Sequence, residues 1–393
     1  MEDALYDRLM FGTLAATCTA PVSDEKRFDI SIVDEAGQAT EPAVIGLVWR
    51  SDHVVLCGDV QQLPGHGQTE VMIRSLMQRL GHRPGMNIQL LDCQYRMPPD
   101  LMRFPNTYFY QDKVHSHQSS LRPQQLVAGF SWRESRPAAW VHVRGRENRA
   151  STSWKNQHEI NAVNDIVTKL LCYRSNRAED IGVITPYIEQ KKALETTLPD
   201  GIRIGSVDAF QGLEQDIIIL SLVRSNDRGA YGFFSEERRL NVALTRARRG
   251  LIIVGDAVFW YGTCKVFYEL VDYYFNNGLI HGKPDWESVR ADTTSPETNA
   301  PEKRPRRNWQ SNIYHKSTMS LTEEDLTALR NEASAILFEL LSNMMFIRIL
   351  NNVQQKTYKR PGTLQSGKQP KDCFSWNEKD WSYLGKVSGL GMD

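Results

Sequence analysis

Short apolar runs rich in β-branched residues recur along this chain with helix-spaced segments between them, and that alternation limits the fold more than any other feature. The clearest runs are Ile30 to Val33, Val54 to Cys57, Ile181 to Thr185, Ile204 to Val207, Asp216 to Val223 and Leu251 to Val254, with a shorter one at Trp140 to Val143. Between them, residues 68–80, Glu159 to Tyr173, Ile188 to Leu198 and Leu240 to Arg249 carry apolar side chains three and four apart, the spacing of a buried helix face. Strands separated by whole helices pair in parallel, so the expectation is an α/β architecture. Met10 to Ala20 reads as one more core strand with a polar trailing loop, and Ile88 to Met97 as another that runs into Gln94-Tyr95-Arg96.

The chain has 393 residues, 41% of them apolar, enough for two ordinary domains and an extension. Its 47 basic and 47 acidic residues cancel, so any basic channel for nucleic acid has to be local. Cys18, Cys57, Cys93, Cys172, Cys264 and Cys373 are scattered with no C-x-x-C, which argues against a zinc ribbon or disulfide framework and fits a reducing compartment. No apolar run reaches the ~18 residues of a membrane span, and the first twenty residues lack a signal-peptide core. A soluble, intracellular protein with no membrane contact is expected.

The run FDISIVDEAGQATEP, Phe28 to Pro42, ends on the acid pair Asp34-Glu35. In nucleoside-triphosphate engines, one acid at such a strand end holds Mg²⁺ and a second orients the attacking water. The competing reading is a pair of acids capping a helix opened by Gln38, Ala39 and Glu41. Gly58-Asp59 turns at the end of the next strand, where parallel sheets bind ligands, and leaves the Gln62 amide placed to reach a terminal phosphate or water. Tyr95 and Arg96 pair a ring that can stack on a base with a guanidinium that can clamp a phosphate. On the Leu240 to Arg249 segment, Asn241 and Thr245 share one helix face, Arg246 and Arg249 another. His115 and His117 have strand-face spacing with no third ligand nearby, so a solvated loop is expected there rather than a metal site.

Taken together, VDEAGQATEP, LCGDVQQLP, QYRMPPDLMRFPNTYFY, IGVITPYIEQ, GSVDAFQGLEQDIIILSLVRSN and RRLNVALTRARRGLIIVGD resemble, in order and spacing, motifs II to VI of the superfamily 1 helicases of the up-frameshift and senataxin-like (DNA2/NAM7) group, over about residues 8 to 262. The resemblance implies RecA-like parallel sheets flanked by helices: a partial first lobe in residues 1–85, a complete second lobe in 86–275, and a mostly irregular and helical tail in 276–393. It implies an ATP-dependent helicase or translocase that uses ATP and Mg²⁺ and steps along single-stranded RNA or DNA, RNA favoured, in nucleus or cytoplasm. Carried over by residue, Asp34 binds Mg²⁺, Glu35 is the catalytic base, Gln62 senses the γ-phosphate, Tyr95 stacks on adenine, and Arg96 and Arg246 are arginine fingers. Gly212 and Glu214 lie by the nucleotide, and Thr13, Ser206 and Asp208 face the nucleic-acid backbone.

One element of the family pattern is missing: no G-x-x-x-x-G-K-[ST] precedes Asp34, so this stretch alone is expected to be an incomplete motor. The match at Gly362 to Gln369 lacks the hydroxyl and the strand–loop–helix context. A rival reading is a catalytically silent nucleic-acid-binding or adaptor protein, and a third has another polypeptide supply the loop. In the tail, Lys303 to Arg307 is a basic run in a Pro/Ser/Thr-rich linker, with a nuclear-import signal, a nucleic-acid patch and a solvated linker as its readings. Ser320 and Glu323 form a capping box before Leu326, Leu329, Ala333, Ile336, Leu337, Leu340 and Met344, a helix over about 320–355 expected to bury its stripe on the second lobe or a protein partner.

Overall fold

A computed structural model of the chain describes residues 10–19, 27–67, 73–81, 83, 86–121, 125–286 and 317–320. The tail helix, the Lys303 to Arg307 run and Gly362 to Gln369 lie outside the described residues, as do residues 68–72 of the expected 68–80 helix. The chain falls into two compact units, one of Met1–Val33, Glu41–Val55 and Ser320–Asp393, the other of Asp34–Thr40 and Leu56–Met319.

The helices are α1 (Leu14–Thr19), α2 (Glu41–Arg50), α3 (Leu76–Leu80), α4 (Pro99–Tyr110), α5 (Gln118–Leu121), α6 (Gln157–Leu171), α7 (Ile188–Thr197), α8 (Glu237–Leu244), α9 (Ala257–Tyr261) and α10 (Lys265–Asn276). The strands are β1 (Phe28–Val33), β2 (Ser51–Gly58), β3 (Asn87–Leu90), β4 (Cys93–Gln94), β5 (His115–Ser116), β6 (Ala138–His142), β7 (Asn148–Ala150), β8 (Ser153–Lys155), β9 (Ile181–Ile184), β10 (Arg203–Gly205), β11 (Gln215–Ser221), β12 (Ala247–Gly255), β13 (Ile280–His281) and β14 (Ser317–Ser320).

In the first unit β1 and β2 lie side by side. Ser51 Oγ donates to Leu47 O at 2.6 Å and to Ser31 Oγ at 2.7 Å, tying the end of α2 to both strands. Met10 to Ala20, expected as a strand, forms α1 instead. Leu-Ala-Ala favours helix over a pleated surface, and Thr13 Oγ1 accepts the Ala16 N–H at 3.1 Å as an N-cap does.

The second unit is built on a six-stranded sheet in the order β10-β9-β11-β12-β6-β13, every pairing parallel. Consecutive residues along its central strands feed two different cores, because side chains alternate across a strand. Ile218, Leu220, Leu251, Ile253 and Trp140 pack with α4, α8, α9 and α10 on one face. Ile217, Ile219, Ile252 and Val254 pack with α6 and α7 on the other. A sheet covered on both faces is why these strands read as unbroken apolar runs. α6 begins at Asn156, whose side chain accepts from the His158 and Glu159 amides, and it buries Ile160, Val163, Ile166, Val167 and Leu170.

Two segments break where the sequence reads as continuous. Ile88 to Met97 is cut into β3 and β4, the latter pairing with β5, and β4 ends where the Gln94 side chain folds back, its Oε1 accepting the Arg96 and Met97 amides at 2.9 and 3.0 Å. Leu240 to Arg249 is helical only to Leu244, and β12 starts at Ala247. Asn241 and Thr245 do meet, Thr245 Oγ1 donating to Asn241 O at 2.8 Å. Arg249, however, is on the strand and reaches Asp216 of β11 at 3.3 Å, while Arg246 occupies the turn, so the two share no helix face.

Candidate active site

The acid pair sits in the turn 34–38 that follows β1, ahead of a helix that starts at Glu41, so it is not the cap of that helix. Glu35 has the left-handed backbone (φ 51°) that few residues other than glycine adopt. Its N–H donates to Asp34 Oδ1 at 2.9 Å, and its Oε2 accepts from Gln38 Nε2 at 2.8 Å. The turn is pressed against the end of β2. Ala36 N–H donates to Cys57 O at 2.8 Å, a Cβ on Gly37 would meet Asp59 O at 2.7 Å, and one on Gly58 would meet Gly37 N at 2.6 Å. Only glycines let these two backbones approach so closely.

Asp59, 6% exposed, is the hub of the next layer. Its carboxylate accepts from Gln61 N at 2.8 Å, Gln62 Nε2 at 3.0 Å and the Tyr110 hydroxyl at 2.9 Å. Burial pushes its pKa above the ordinary carboxylate value, with the Glu35 charge adding to the effect. Tyr110, the last residue of α4, accepts from Asn241 Nδ2 of α8 at 2.7 Å, and the same amide donates to Gln61 O at 2.9 Å. Tyr110→Phe should therefore lower the stability of this unit by about 1–2 kcal/mol in denaturant titration, since it leaves a buried carboxylate and a buried amide each short of a partner.

Gln62 is held at both ends, donating to Asp59 and accepting from Arg246 Nη2 at 3.5 Å. Arg246 is 2% exposed and donates to Val242 O, Leu213 O and Thr245 Oγ1 at 3.0, 3.4 and 3.3 Å. Burial, then the neighbouring Arg96 charge, brings its pKa down to about 10, which leaves it cationic at neutral pH. Arg96 donates to Glu214 Oε2 at 2.7 Å and to Thr245 O at 2.8 Å, so both arginines hang on the turn between α8 and β12. Gly212 (φ 71°) opens onto free space, two residues before Glu214. Tyr95 is 64% exposed, and its ring centroid lies 4.4 Å from that of His117, the ring planes inclined by 33°.

Of the residues singled out by sequence, Gln62, Arg96, Arg246 and Glu214 thus join one contact network through Asp59 and Thr245, while Asp34 and Glu35 lie in the turn whose Gly37 packs against the Asp59 backbone. Thr13 is in the first unit, capping α1. Ser206 and Asp208 follow β10, where Ser206 Oγ accepts Ala209 N at 3.2 Å at the head of the short 3-10 turn Asp208–Phe210. Asp59, Tyr110 and Asn241 were missed as site residues. Asp59 was visible only as half of a Gly-Asp turn and Asn241 as a helix-face residue, while Tyr110 carries no signal beyond an aromatic run.

Chemically, the exposed Asp34 carboxylate keeps one oxygen outside its own turn, a hard donor of the kind Mg²⁺ takes singly alongside water and phosphate oxygens. Two guanidiniums and a glutamine amide fixed near an acid pair suit a polyphosphate, and the open Tyr95 ring suits a base.

Two family models described as AAA domain match this chain, over residues 7–66 and 72–258. The Regulator of nonsense transcripts 1 homolog of Drosophila melanogaster is 38% identical over 252 residues, 58% of this chain and 21% of that protein. The ATP-dependent helicase NAM7 of Saccharomyces cerevisiae is 36% identical over 267 residues, 61% of this chain and 27% of that protein. Among solved structures, the Arterivirus nonstructural protein 10 helicase is 15% identical with a TM-score of 0.32, covering 60% of this chain and 40% of that one, too distant a match to add to the sequence comparison. The chain spans about a fifth to just over a third of the length of these curated relatives.

Proposed function

Because the chain belongs to the superfamily 1 helicases of the up-frameshift and NAM7 type, we propose that this network is the catalytic half-site of an ATP-dependent motor that moves along single-stranded nucleic acid. The observation that carries the reading is the unbroken run of contacts from the Glu35 turn through Asp59 and Gln62 to Arg246. In this reading Asp34 takes Mg²⁺, which neutralises phosphate charge when bound. Glu35, its carboxylate steadied by Gln38, orients the attacking water and accepts its proton. Gln62 uses its second N–H toward the terminal phosphate or that water, and Arg246 and Arg96 stabilise the charge that develops as the phosphoryl group leaves. Tyr95 stacks on the adenine, while Gly212 and Glu214 line the nucleotide side. Residues 1–85 serve as part of a first lobe and 86–275 as a second, and Thr13, Ser206 and Asp208 meet the strand's backbone. RNA is the proposed track, since relatives are named as regulators of nonsense transcripts.

The test is ATP hydrolysis by the whole natural protein, with and without single-stranded RNA, beside its Glu35→Gln form. Stimulated turnover that falls by about 10²-fold or more in the variant is expected. Turnover that RNA does not raise, or that survives Glu35→Gln, overturns the reading, and an oligodeoxynucleotide arm decides between RNA and DNA.

A further inference from the structure

The helix α4 meets the candidate site at both of its ends. Arg96 stands three residues before its first turn and donates from Nη1 to Thr245 O at 2.8 Å, while Tyr110 closes its last turn with the hydroxyl between Asp59 Oδ2 at 2.9 Å and Asn241 Nδ2 at 2.7 Å. Between those ends the helix cannot shift easily. Leu101, Met102, Phe104 and Phe109 are buried in one core cluster with Leu240, Val242 and Leu244 of α8, and Leu63, next to Gln62, belongs to the same cluster.

The direction of each hydrogen bond at Tyr110 is set by its neighbours. Gln61 O is a backbone carbonyl that can only accept, so the nitrogen of the Asn241 amide faces this corner, and its two hydrogens go to Gln61 O at 2.9 Å and to Tyr110. The hydroxyl therefore accepts from Asn241 and gives its own proton to Asp59. Burial, then the Asp59 charge, holds the Tyr110 pKa well above the ordinary 10, so that proton stays in place.

Asp59 in turn faces donors: Gln61 N on Oδ1, and both Gln62 Nε2 and the Tyr110 hydroxyl on Oδ2. With its nitrogen turned to Asp59, the Gln62 amide leaves its oxygen to Arg246 Nη2 at 3.5 Å and keeps one N–H over. Reversed, the amide would set its oxygen against a carboxylate and its nitrogen against a guanidinium, and both contacts would repel. Gln62 is thus held in one sense, and the carboxylate that imposes it is anchored from behind by Tyr110.

We propose that Tyr110 is a positioning residue for phosphoryl transfer at this site: its hydroxyl fixes Asp59, and Asp59 fixes which way the Gln62 amide faces. Tyr110 touches no reactant in this scheme. Without the hydroxyl, the carboxylate keeps Gln61 and Gln62 but loses the anchor that stops it turning, and the remaining N–H of Gln62 no longer has a single direction. The loss falls on the transition state rather than on nucleotide binding, since Tyr95, Arg96 and Glu214 are untouched. The proposal rests on the motor reading and deepens it at Gln62.

The test is steady-state ATP hydrolysis by the whole natural protein with saturating single-stranded RNA. Tyr110→Phe should lower kcat by about tenfold and leave KM for ATP within about twofold of wild type. Gln62→Ala should lower kcat by about 10²-fold, and adding Tyr110→Phe to it should change nothing further, because no amide is left to orient. Tyr108→Phe is the control: it removes a hydroxyl from the same helix, where that group meets Glu237 Oε1 at 3.3 Å, and should stay within about twofold of wild type. A Tyr110→Phe kcat no lower than that of Tyr108→Phe, a change confined to KM, or an undiminished tenfold effect in the Gln62→Ala background overturns the positioning role and leaves the motor reading standing. Absence of stimulated turnover in the wild type overturns both.

Discussion

On the proposed motor reading, replacing Arg246 with lysine is expected to lower nucleic-acid-stimulated ATP turnover by about 10³-fold, the lower end of what an arginine finger supplies, and to destabilise the second unit as well. The dual effect follows from how the side chain is held. Arg246 is 2% exposed and spends its donors on Val242 O, Leu213 O, Thr245 Oγ1 and Gln62 Oε1. A lysine keeps the charge but has neither the fork nor the reach to serve four acceptors, so buried carbonyls lose partners at roughly 2–3 kcal/mol. Arg96 is the control. It is 31% exposed, and Arg248 stands 3.7 Å from Glu214, ready to keep that carboxylate paired. Arg96→Lys should therefore reduce turnover with little change in melting temperature. Kinetics of the whole natural protein and calorimetry of both variants check this; equal melting losses in the two, or undiminished turnover in Arg246→Lys, would contradict it.

The same residues show how far the sequence carried the argument. The unbroken β-branched run at β11 could be read at once because a sheet buried on both faces needs apolar side chains at every position. The acid pair stood out as two carboxylates at the end of an apolar strand, whereas Arg96 and Arg246 were singled out as arginine fingers only through the family resemblance. The end of α8 was not legible. Leu-Asn-Val-Ala-Leu-Thr-Arg-Ala-Arg-Arg has helical spacing throughout, and what stops it is tertiary: β12 has to begin at Ala247 to pair with β11. Tyr110 was invisible for a related reason. Its role depends on meeting Asp59 and Asn241 from distant parts of the chain, and no local pattern encodes a hydroxyl placed between a carboxylate and an amide. The hairpin of β7 and β8 was missed because three-residue strands leave no period to detect.

Raising the pH from 5.5 to 8.5 is expected to weaken the second unit, and Glu159→Gln should abolish most of that loss. Glu159 is fully buried in the first turn of α6, and burial drives its pKa from the ordinary 4.5 up to about 8. Between those values the folded protein binds the proton and the unfolded chain does not, so stability falls as pH rises through the folded value. A shift of this size corresponds to an upper bound of roughly 4–5 kcal/mol over the full window. His142, whose pKa burial lowers, works in the opposite direction below its ordinary 6.5, and comparing the variant with wild type cancels it. Glutamine imitates the neutral carboxyl: its oxygen can accept the Val223 N–H now held at 2.9 Å, and its amide can face Ser221 Oγ, now at 2.7 Å. Equal stability near pH 5.5 and a more stable variant near pH 8.5 are the expected denaturation results, whereas parallel curves would mean that Glu159 is ionised in the fold. Glu159→Ala should be destabilising at every pH by about 3 kcal/mol or more, because Val223 then keeps its left-handed backbone with no acceptor for its N–H.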